Sequence, residues 1–454
     1  MSSNVSLTGR LLGGTVLSLP RQTLWLPRRD FPFSIMRTNS RHPHPKQLKQ
    51  AKKRSWRWSA RNSNLLKVCN RLHGALVSII PKTMSNASQS TDATFDVKPY
   101  KLHNLDKGPA DKATLTSDDA LNYFKELQMC RRLETTAANL YKGKVIRGFC
   151  HLYSGQEAIA VGVKAVLRPQ DSVITSYRCH AWTYMINGTV LGVLAELAGR
   201  KSGCVRGKGG SMHMYGKKFY GGNGIVGSQT PIGTGLAFAH KYRGDGGISF
   251  TLYGEGAANQ GQLFEAFNIA KLWLLPVIFI CENNKYGLGT SAARASACTD
   301  YYTRGHYIPG IWVDGMDVLA CREATRYAID WVTSGKGPIV LEMETYRYYG
   351  HSMSDPGTTY RTRDEVQQVR KTRDPIALFK EKILSKKLVT PEKVKEIETS
   401  VRKYVEEVVK NAANDTEIGS EELSGDIYVE CIDPNIRGVR PDKPLTHISV
   451  AKRD

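Results

Sequence analysis

One stretch of this chain constrains the fold more than any other. Residues 248–285 read, in order, as an apolar run, a glycine turn at Gly254-Glu255-Gly256, a helical segment, a second apolar run from residue 276, and the pair Asn283-Asn284. Two apolar strands joined by a crossover of helix length pair in parallel, because an antiparallel partner needs only a short turn. Parallel sheets bury both faces, so the pattern predicts an α/β fold with a doubly wound parallel sheet, residues 338–343 forming a further buried strand. The ends of the two apolar runs then share one edge, which is where open α/β sheets bind ligands.

What sits at that edge carries chemistry. Glu255 and Asn284 are 29 positions apart in sequence, yet the crossover brings them together. A carboxylate, an amide oxygen and the Tyr286 carbonyl are hard ligands suited to Mg²⁺, with phosphate oxygens or water completing an octahedron. Gly254 and Gly256 let backbone approach a phosphate, and a helix expected to begin near Ala257 or Ala258 offers N–H groups to it. A diphosphate needs such a cation, since a unit charge pair at ~4 Å is worth on the order of 4 kcal/mol at an effective dielectric of ~20. By itself a GxG turn is more often a plain strand-to-helix connection; the Asn pair after the next strand is what adds specificity. Within residues 254–287 neither a Walker lysine motif nor GxGxxG occurs.

The net charge of +22 raises nucleic acid or an anionic membrane as partners, but its distribution argues otherwise. Residues 1–91 hold 16 Lys plus Arg and a single acid, Asp30; the remainder holds 48 against 41. A basic, acid-poor leader of this kind is expected to be a mitochondrial transit segment. The alternative is a disordered basic or RNA-binding arm, in which Trp56 and Trp58 would stack on bases, but no base-reading motif accompanies them. No apolar run approaches the ~20 residues that span a bilayer. Nine cysteines without CxxC spacing point to reduced thiols in a reducing compartment. We therefore expect neither a nucleic-acid nor a membrane partner.

Elsewhere, Thr116 followed by Ser117, Asp118 and Asp119 predicts a helix start, continued by Leu121, Phe124, Leu127, Leu133, Ala137 and Leu140 at helical spacing. A second helix is expected from Gly155 through Val163, and one begun by Pro231 after the 221–227 glycine segment. Beyond Tyr360 the chain turns helical, with Thr390 as N-cap, Pro391 at the first position and a valine-rich face after it. Residues 414–425 read as an acidic, flexible linker. The expected organisation is a leader (1–91), an α/β domain (92–360), and a helical C-terminal extension with its tail (361–454).

The GEG–NN pair matches the fingerprint of thiamine-diphosphate enzymes. Together with RGFCHLYSGQEA, TSYRCH, GGSMHMY, GGNGIVG and YRYYGHSMSDPGTTYRTR, it makes residues 92–450 resemble the alpha subunits of the pyruvate dehydrogenase decarboxylating component. The resemblance implies a thiamine-diphosphate-binding fold. It implies that Tyr177 and Arg178 meet the diphosphate, that Gly216, Gly224 and Val226 line the cofactor, and that Gly256 and Ala257 support the phosphates. Glu255, Asn284 and Tyr286 would hold Mg²⁺, and His151 and His351 would be the active-site histidines, His351 also touching cofactor. A guanidinium at Arg178 suits phosphate because it forks onto two oxygens. The chain departs from the family at Glu255, which stands where the metal-binding residue is Asp; the extra methylene, roughly 1.5 Å, predicts altered metal affinity. Branched-chain 2-oxoacid dehydrogenase alpha subunits resemble this chain in carrying GEG.

Further expectations come with the resemblance. The reaction is oxidative decarboxylation of pyruvate in the mitochondrial matrix, with the two-carbon unit passing to a lipoyl group on the acyltransferase component, toward acetyl-CoA. The second half of the site belongs to a separate beta subunit, giving an α2β2 heterotetramer. Ser352 and Ser291 match positions modified by a regulatory kinase and phosphatase, and Thr359 stands at a third. The alternatives are a branched-chain 2-oxoacid dehydrogenase alpha subunit and a non-catalytic paralogue.

Overall fold

The structure, a computed structural model, describes residues 92–428, 435–436 and 445–447. The basic leader lies outside the described residues. The central sheet has six strands in the order β2 (Lys101–His103), β7 (Gly310–Asp314), β8 (Ile339–Glu344), β6 (Val277–Asn283), β5 (Ser249–Gly254), β4 (Ser172–Ile174). All neighbours are parallel except β2, which joins β7 antiparallel at the edge. A separate two-stranded antiparallel sheet pairs β1 (Asp92–Asp96) with β3 (Lys112–Thr116).

Alternation along the strands explains why both faces are covered. On β5 and β6, Phe250, Leu252, Ile278 and Ile280 point into one apolar cluster, which continues through Ile339, Leu341 and Met343 of β8. Their neighbours Tyr253, Val277, Phe279, Cys281 and Val340 point into a second. The first cluster is closed by the Ser117–Lys142, Glu157–Lys164 and Val318–Thr333 helices, the second by Gln229–Arg243 and Gly261–Leu272. A strand with two apolar faces cannot be left open to water on either side, hence the expected doubly wound sandwich.

Local signals placed most helix starts. Thr116 Oγ1 accepts from the Asp119 amide at 3.1 Å, and Thr390 caps Pro391–Asn414 in the same way through Lys393. Three boundaries differ from expectation. The second helix begins at Glu157, because Gly155 has φ +101° and its N–H is held by Glu157 Oε2 at 3.0 Å. After the GEG turn comes a single 3₁₀ turn, Ala257–Asn259, and the α-helix starts only at Gly261, since Gln260 is extended. The helix before β5 starts at Gln229, two residues ahead of Pro231, whose missing N–H is harmless in a first turn.

The presumed linker at 414–425 is a strap instead. Asp415 accepts from Ser202 N and Oγ at 2.8 and 2.6 Å, and Lys201 N donates to Thr416 O at 3.0 Å. Arg200 pairs with Glu417, while buried Glu422 receives Arg206 and Lys208 at 2.6 and 2.9 Å. Its acids looked solvated in sequence because their basic partners lie more than 200 residues away. None of the seven described cysteines is in a disulfide, and five are buried. No described helix is long and apolar enough to cross a membrane.

Candidate active site

Register fixes the site. Gly254 at the end of β5 lies beside Glu282, and Asn283 at the end of β6 lies beside Glu344 of β8, so three strands finish on one edge. There the Asn284 amide donates to Glu255 Oε2 at 3.3 Å. Asn284 Oδ1 accepts from Tyr286 N at 3.3 Å, and Asn283 Oδ1 from Lys285 N at 3.1 Å, which turns the chain sharply through Lys285 at φ +74°. Glu255, Asn284 and Tyr286 thus line a common cavity of about 350 Å³. Burial pushes the Glu255 carboxyl up, offset in part by the Arg347 and Arg178 guanidiniums nearby. A Cβ built on Gly254 or Gly256 meets nothing within 4 Å, so the turn leaves open space for a ligand.

Two arginines line this cavity without a carboxylate partner among the described residues. Arg178, buried, donates to Leu152 O at 2.6 Å and His351 O at 2.9 Å. Arg347, also buried, donates from Nη1 to Asn284 Oδ1 at 3.1 Å and Tyr286 O at 2.7 Å. Burial, with Arg178 close by, lowers the Arg347 pKa to about 10. Buried cations satisfied only by neutral oxygens are costly unless an anion joins them. Farther in, Glu282 accepts from Tyr153 Oη and, at 3.4 Å, from Trp182 Nε1; burial raises it to about 7.

His351 belongs to the other wall, with His151 behind it. His151 Nδ1 lies 3.0 Å from His351 O, so the proton sits on Nδ1 and Nε2 keeps its lone pair. The His151 ring is 4.7 Å from Tyr177 and 5.3 Å edge-on from His351, centre to centre. Burial and the Arg178 charge lower His151 to about 3 and His351 to about 4, so both are neutral at pH 7.

Of the residues proposed from sequence, Tyr177, Arg178, Val226, Glu255, Gly256, Ala257, Asn284, Tyr286 and His351 line the cavity. His151 stands behind Tyr177 and His351 in ring contact with both. Gly216 and Gly224 are not part of the lining. Gly216 bonds Phe219 in a tight turn, where a Cβ would come within 1.8 Å of Asn187 Oδ1; Gly224 lies against His213. Ser352 is buried with its hydroxyl 2.8 Å from Ser354 Oγ. Ser291 caps the short helix Ala292–Ala295, and Thr359 is exposed. Sequence reasoning missed Arg347, Gln156, Gln229 and Glu282. The β8 strand was recognised, and following its end to the same edge points to Arg347; the glutamines carry no signal of their own.

A parallel α/β sheet whose strand ends join an acid–amide pair to two unpaired guanidiniums defines a cofactor enzyme of the diphosphate-binding kind. Residues 125–420 match the family described as "Dehydrogenase E1 component", and the chain belongs to that family, whose members depend on thiamine diphosphate. It is 59% identical over 359 residues to the pyruvate dehydrogenase E1 component subunit alpha type II, mitochondrial, of Ascaris suum, covering 79% of this chain and 92% of that one. It is 60% identical over 356 residues to the probable mitochondrial counterpart of Caenorhabditis elegans, 78% and 90% covered. Against the human somatic form it is 53% identical over 366 residues, 78% and 94% covered.

Proposed function

We propose that this chain is the alpha subunit of a mitochondrial pyruvate dehydrogenase decarboxylating component, binding thiamine diphosphate through Mg²⁺ and acting with a beta subunit. The observation that carries the reading is the pair of buried guanidiniums, Arg178 and Arg347, facing one cavity, neither in an ion pair with a carboxylate among the described residues. The residues present fit the group: two cations for a diphosphate, hard oxygens of Glu255, Asn284 and Tyr286 for Mg²⁺, and open space before Gly254 and Gly256.

Bound there, thiamine diphosphate supplies the electron sink for loss of carbon dioxide from pyruvate. The chain's own groups hold and orient it. Arg178 and Arg347 offset the diphosphate charge, and Glu255, Asn284 and the Tyr286 carbonyl hold the cation. His151, neutral and with Nδ1–H committed to His351 O, can take up a proton only at Nε2. Leu288 of the cavity lining, Phe149 stacked on His151, and Ile225 next to the lining Val226 are 66%, 61% and 73% exposed. Apolar residues in that position favour a partner that closes the site, in keeping with an α2β2 assembly and transfer of the acetyl unit to the lipoyl acyltransferase component. Matrix residence and control by a kinase and phosphatase belong to the same reading.

Reconstitution with a beta subunit, thiamine diphosphate and Mg²⁺ tests it. Turnover of pyruvate well above branched 2-oxoacids, absent without beta, is expected. Preference for branched 2-oxoacids would reassign the substrate, and calorimetry showing no cofactor binding in the presence of Mg²⁺ would make the chain a non-catalytic paralogue.

A further inference from the structure

Behind the histidine wall lies a chain of polar groups with no assigned role. Glu134, from the Ser117–Lys142 helix, has Oε2 3.0 Å from His180 Nδ1. His180 opens the His180–Asn187 helix, and its Nε2 is 2.8 Å from Ser211 Oγ. Ser211 Oγ in turn lies 3.0 Å from the backbone N of His151. All four residues are buried, Glu134 and His180 fully.

The proton order follows from the ends. The His151 amide has only a proton to give, so Ser211 Oγ accepts there. The carboxylate of Glu134 accepts from His180, which places the imidazole proton on Nδ1 and leaves Nε2 as acceptor. Ser211 must then donate its hydroxyl proton to Nε2. Every bond points the same way, from His151 through Ser211 and His180 to Glu134, the arrangement in which each bond strengthens the next. An acid–His–Ser series is also the layout of a nucleophilic triad, but this one is no nucleophile. Ser211 Oγ has its proton and an acceptor site committed, it does not line the cavity, and Cys179 Sγ pins its carbonyl at 3.4 Å.

We propose that Glu134, His180 and Ser211 are a positioning relay that fixes the backbone at His151 and so sets the placement of its ring against Tyr177 and His351 of the cavity wall. The inference rests on His151 taking part in the proposed reaction. His180 is three residues from Tyr177 and two from Arg178, so the same short segment anchors the ring beneath His151 and the guanidinium on His351 O. Loss of the Ser211 hydroxyl frees the His151 amide without removing any group that touches substrate or cofactor.

The test uses the reconstituted α2β2 holoenzyme. Ser211→Ala is expected to lower kcat roughly tenfold, because a small misplacement of a proton-transfer group is costly. KM for pyruvate and the Kd of thiamine diphosphate should stay within about twofold, and hydrogen exchange at the His151 amide should rise roughly tenfold as its bond is lost. Ser211→Thr, which keeps the hydroxyl, should restore both readouts. Should Ser211→Ala fail to assemble, Glu134→Gln carries the test, since it removes the ionised end of the chain while keeping its volume; unchanged kcat there overturns the relay. Full kcat in Ser211→Ala, or a loss that Ser211→Thr does not rescue and that cofactor affinity shares, also overturns it. His151→Asn separates the two claims. Full turnover in that variant refutes His151's part in the reaction, whereas its loss beside an intact Ser211→Ala refutes the relay alone.

Discussion

Arg347 places one guanidinium nitrogen 2.7 Å from the Tyr286 carbonyl and 3.1 Å from Asn284 Oδ1, so it already bonds the two neutral oxygens proposed as cation ligands. The same side chain donates from Nε to Tyr349 O at 3.1 Å, which ties the cavity to the segment carrying His351. One residue therefore competes electrostatically with a metal ion and cooperates with a diphosphate.

That double role predicts opposite effects on two ligands. Replacing Arg347 with Met removes a unit charge close to the cation position, so Mg²⁺ alone should bind at least roughly tenfold more tightly. Thiamine diphosphate in the presence of Mg²⁺ should bind at least roughly tenfold more weakly, because a charge-assisted partner is lost. Isothermal titration of each ligand checks this. Parallel weakening of both would show that Arg347 acts only as a scaffold for the Tyr286 loop.

The depressed histidines make a pH prediction. His151 and His351 titrate near 3 and 4 in the folded chain and near ~6.5 when unfolded, so below ~6.5 the unfolded state binds more protons. Stability contributed by keeping these groups neutral is complete above pH ~6.5 and falls as the pH drops toward their folded values. The slope is at most about 1.4 kcal/mol per pH unit for each group. Denaturant titrations of the cofactor-free assembly between pH 7 and 5 should show this loss, and His151→Gln should flatten it. An unchanged slope in that variant would mean that other groups govern the acid limb.

How far these groups were legible in sequence depended on whether their partners are local. Glu255 and Asn284 could be paired from sequence because strand direction alone dictates that consecutive parallel strands end on one edge. The N-caps at Thr116 and Thr390 were readable for the same reason, their partners being three residues on. Arg347 was not assigned, although its strand was, because the choice between a surface ion pair and a buried unpaired guanidinium is made by tertiary packing. The strap at 414–425 was misread as solvated because Glu422 finds Arg206 and Lys208 only in three dimensions. Gly216 entered by resemblance, yet its lack of a side chain answers to Asn187 and a turn rather than to the cavity.

Gly155 provides a test of the frame behind the site. It has φ +101°, and a Cβ there would fall 2.2 Å from Tyr346 O, while Thr345 Oγ1 donates to its carbonyl at 3.2 Å. The neighbouring Tyr348 N–Ser154 O bond of 3.1 Å joins the same two segments. Gly155→Ala combines a forbidden conformation with a backbone clash and should cost more than about 4 kcal/mol, seen as insoluble expression or collapse of the melting transition. A soluble variant with a wild-type melting temperature would mean that the junction of the 150s with β8 is far looser than described.

The loop after His351 is organised by one carboxylate, and this sets its response to modification. Asp355 accepts from His351 N at 2.6 Å, Gly357 N at 2.8 Å and Tyr360 Oη at 2.5 Å. Burial pushes its pKa up, but the Tyr360, His351 and Gly357 hydrogen bonds outweigh that and hold it below the usual range. Ser352, buried and bonded to Ser354, sits inside this arrangement, so a kinase can reach it only when the loop opens. A phosphate there adds about −1.5 to −2 charge near Asp355, and mutual repulsion should keep the loop from closing over His351. Phosphorylation of Ser352 by a 2-oxoacid dehydrogenase kinase is expected to abolish turnover and to speed proteolysis within residues 350–361. Ser352→Ala should block the inactivation. Asp355→Asn, which removes one acceptor without adding charge, should give the faster proteolysis and a loss of turnover of roughly tenfold through misplacement of His351. Inactivation that persists in Ser352→Ala would move the control point to another residue, and a protease-resistant Asp355→Asn loop would remove Asp355 as its organiser.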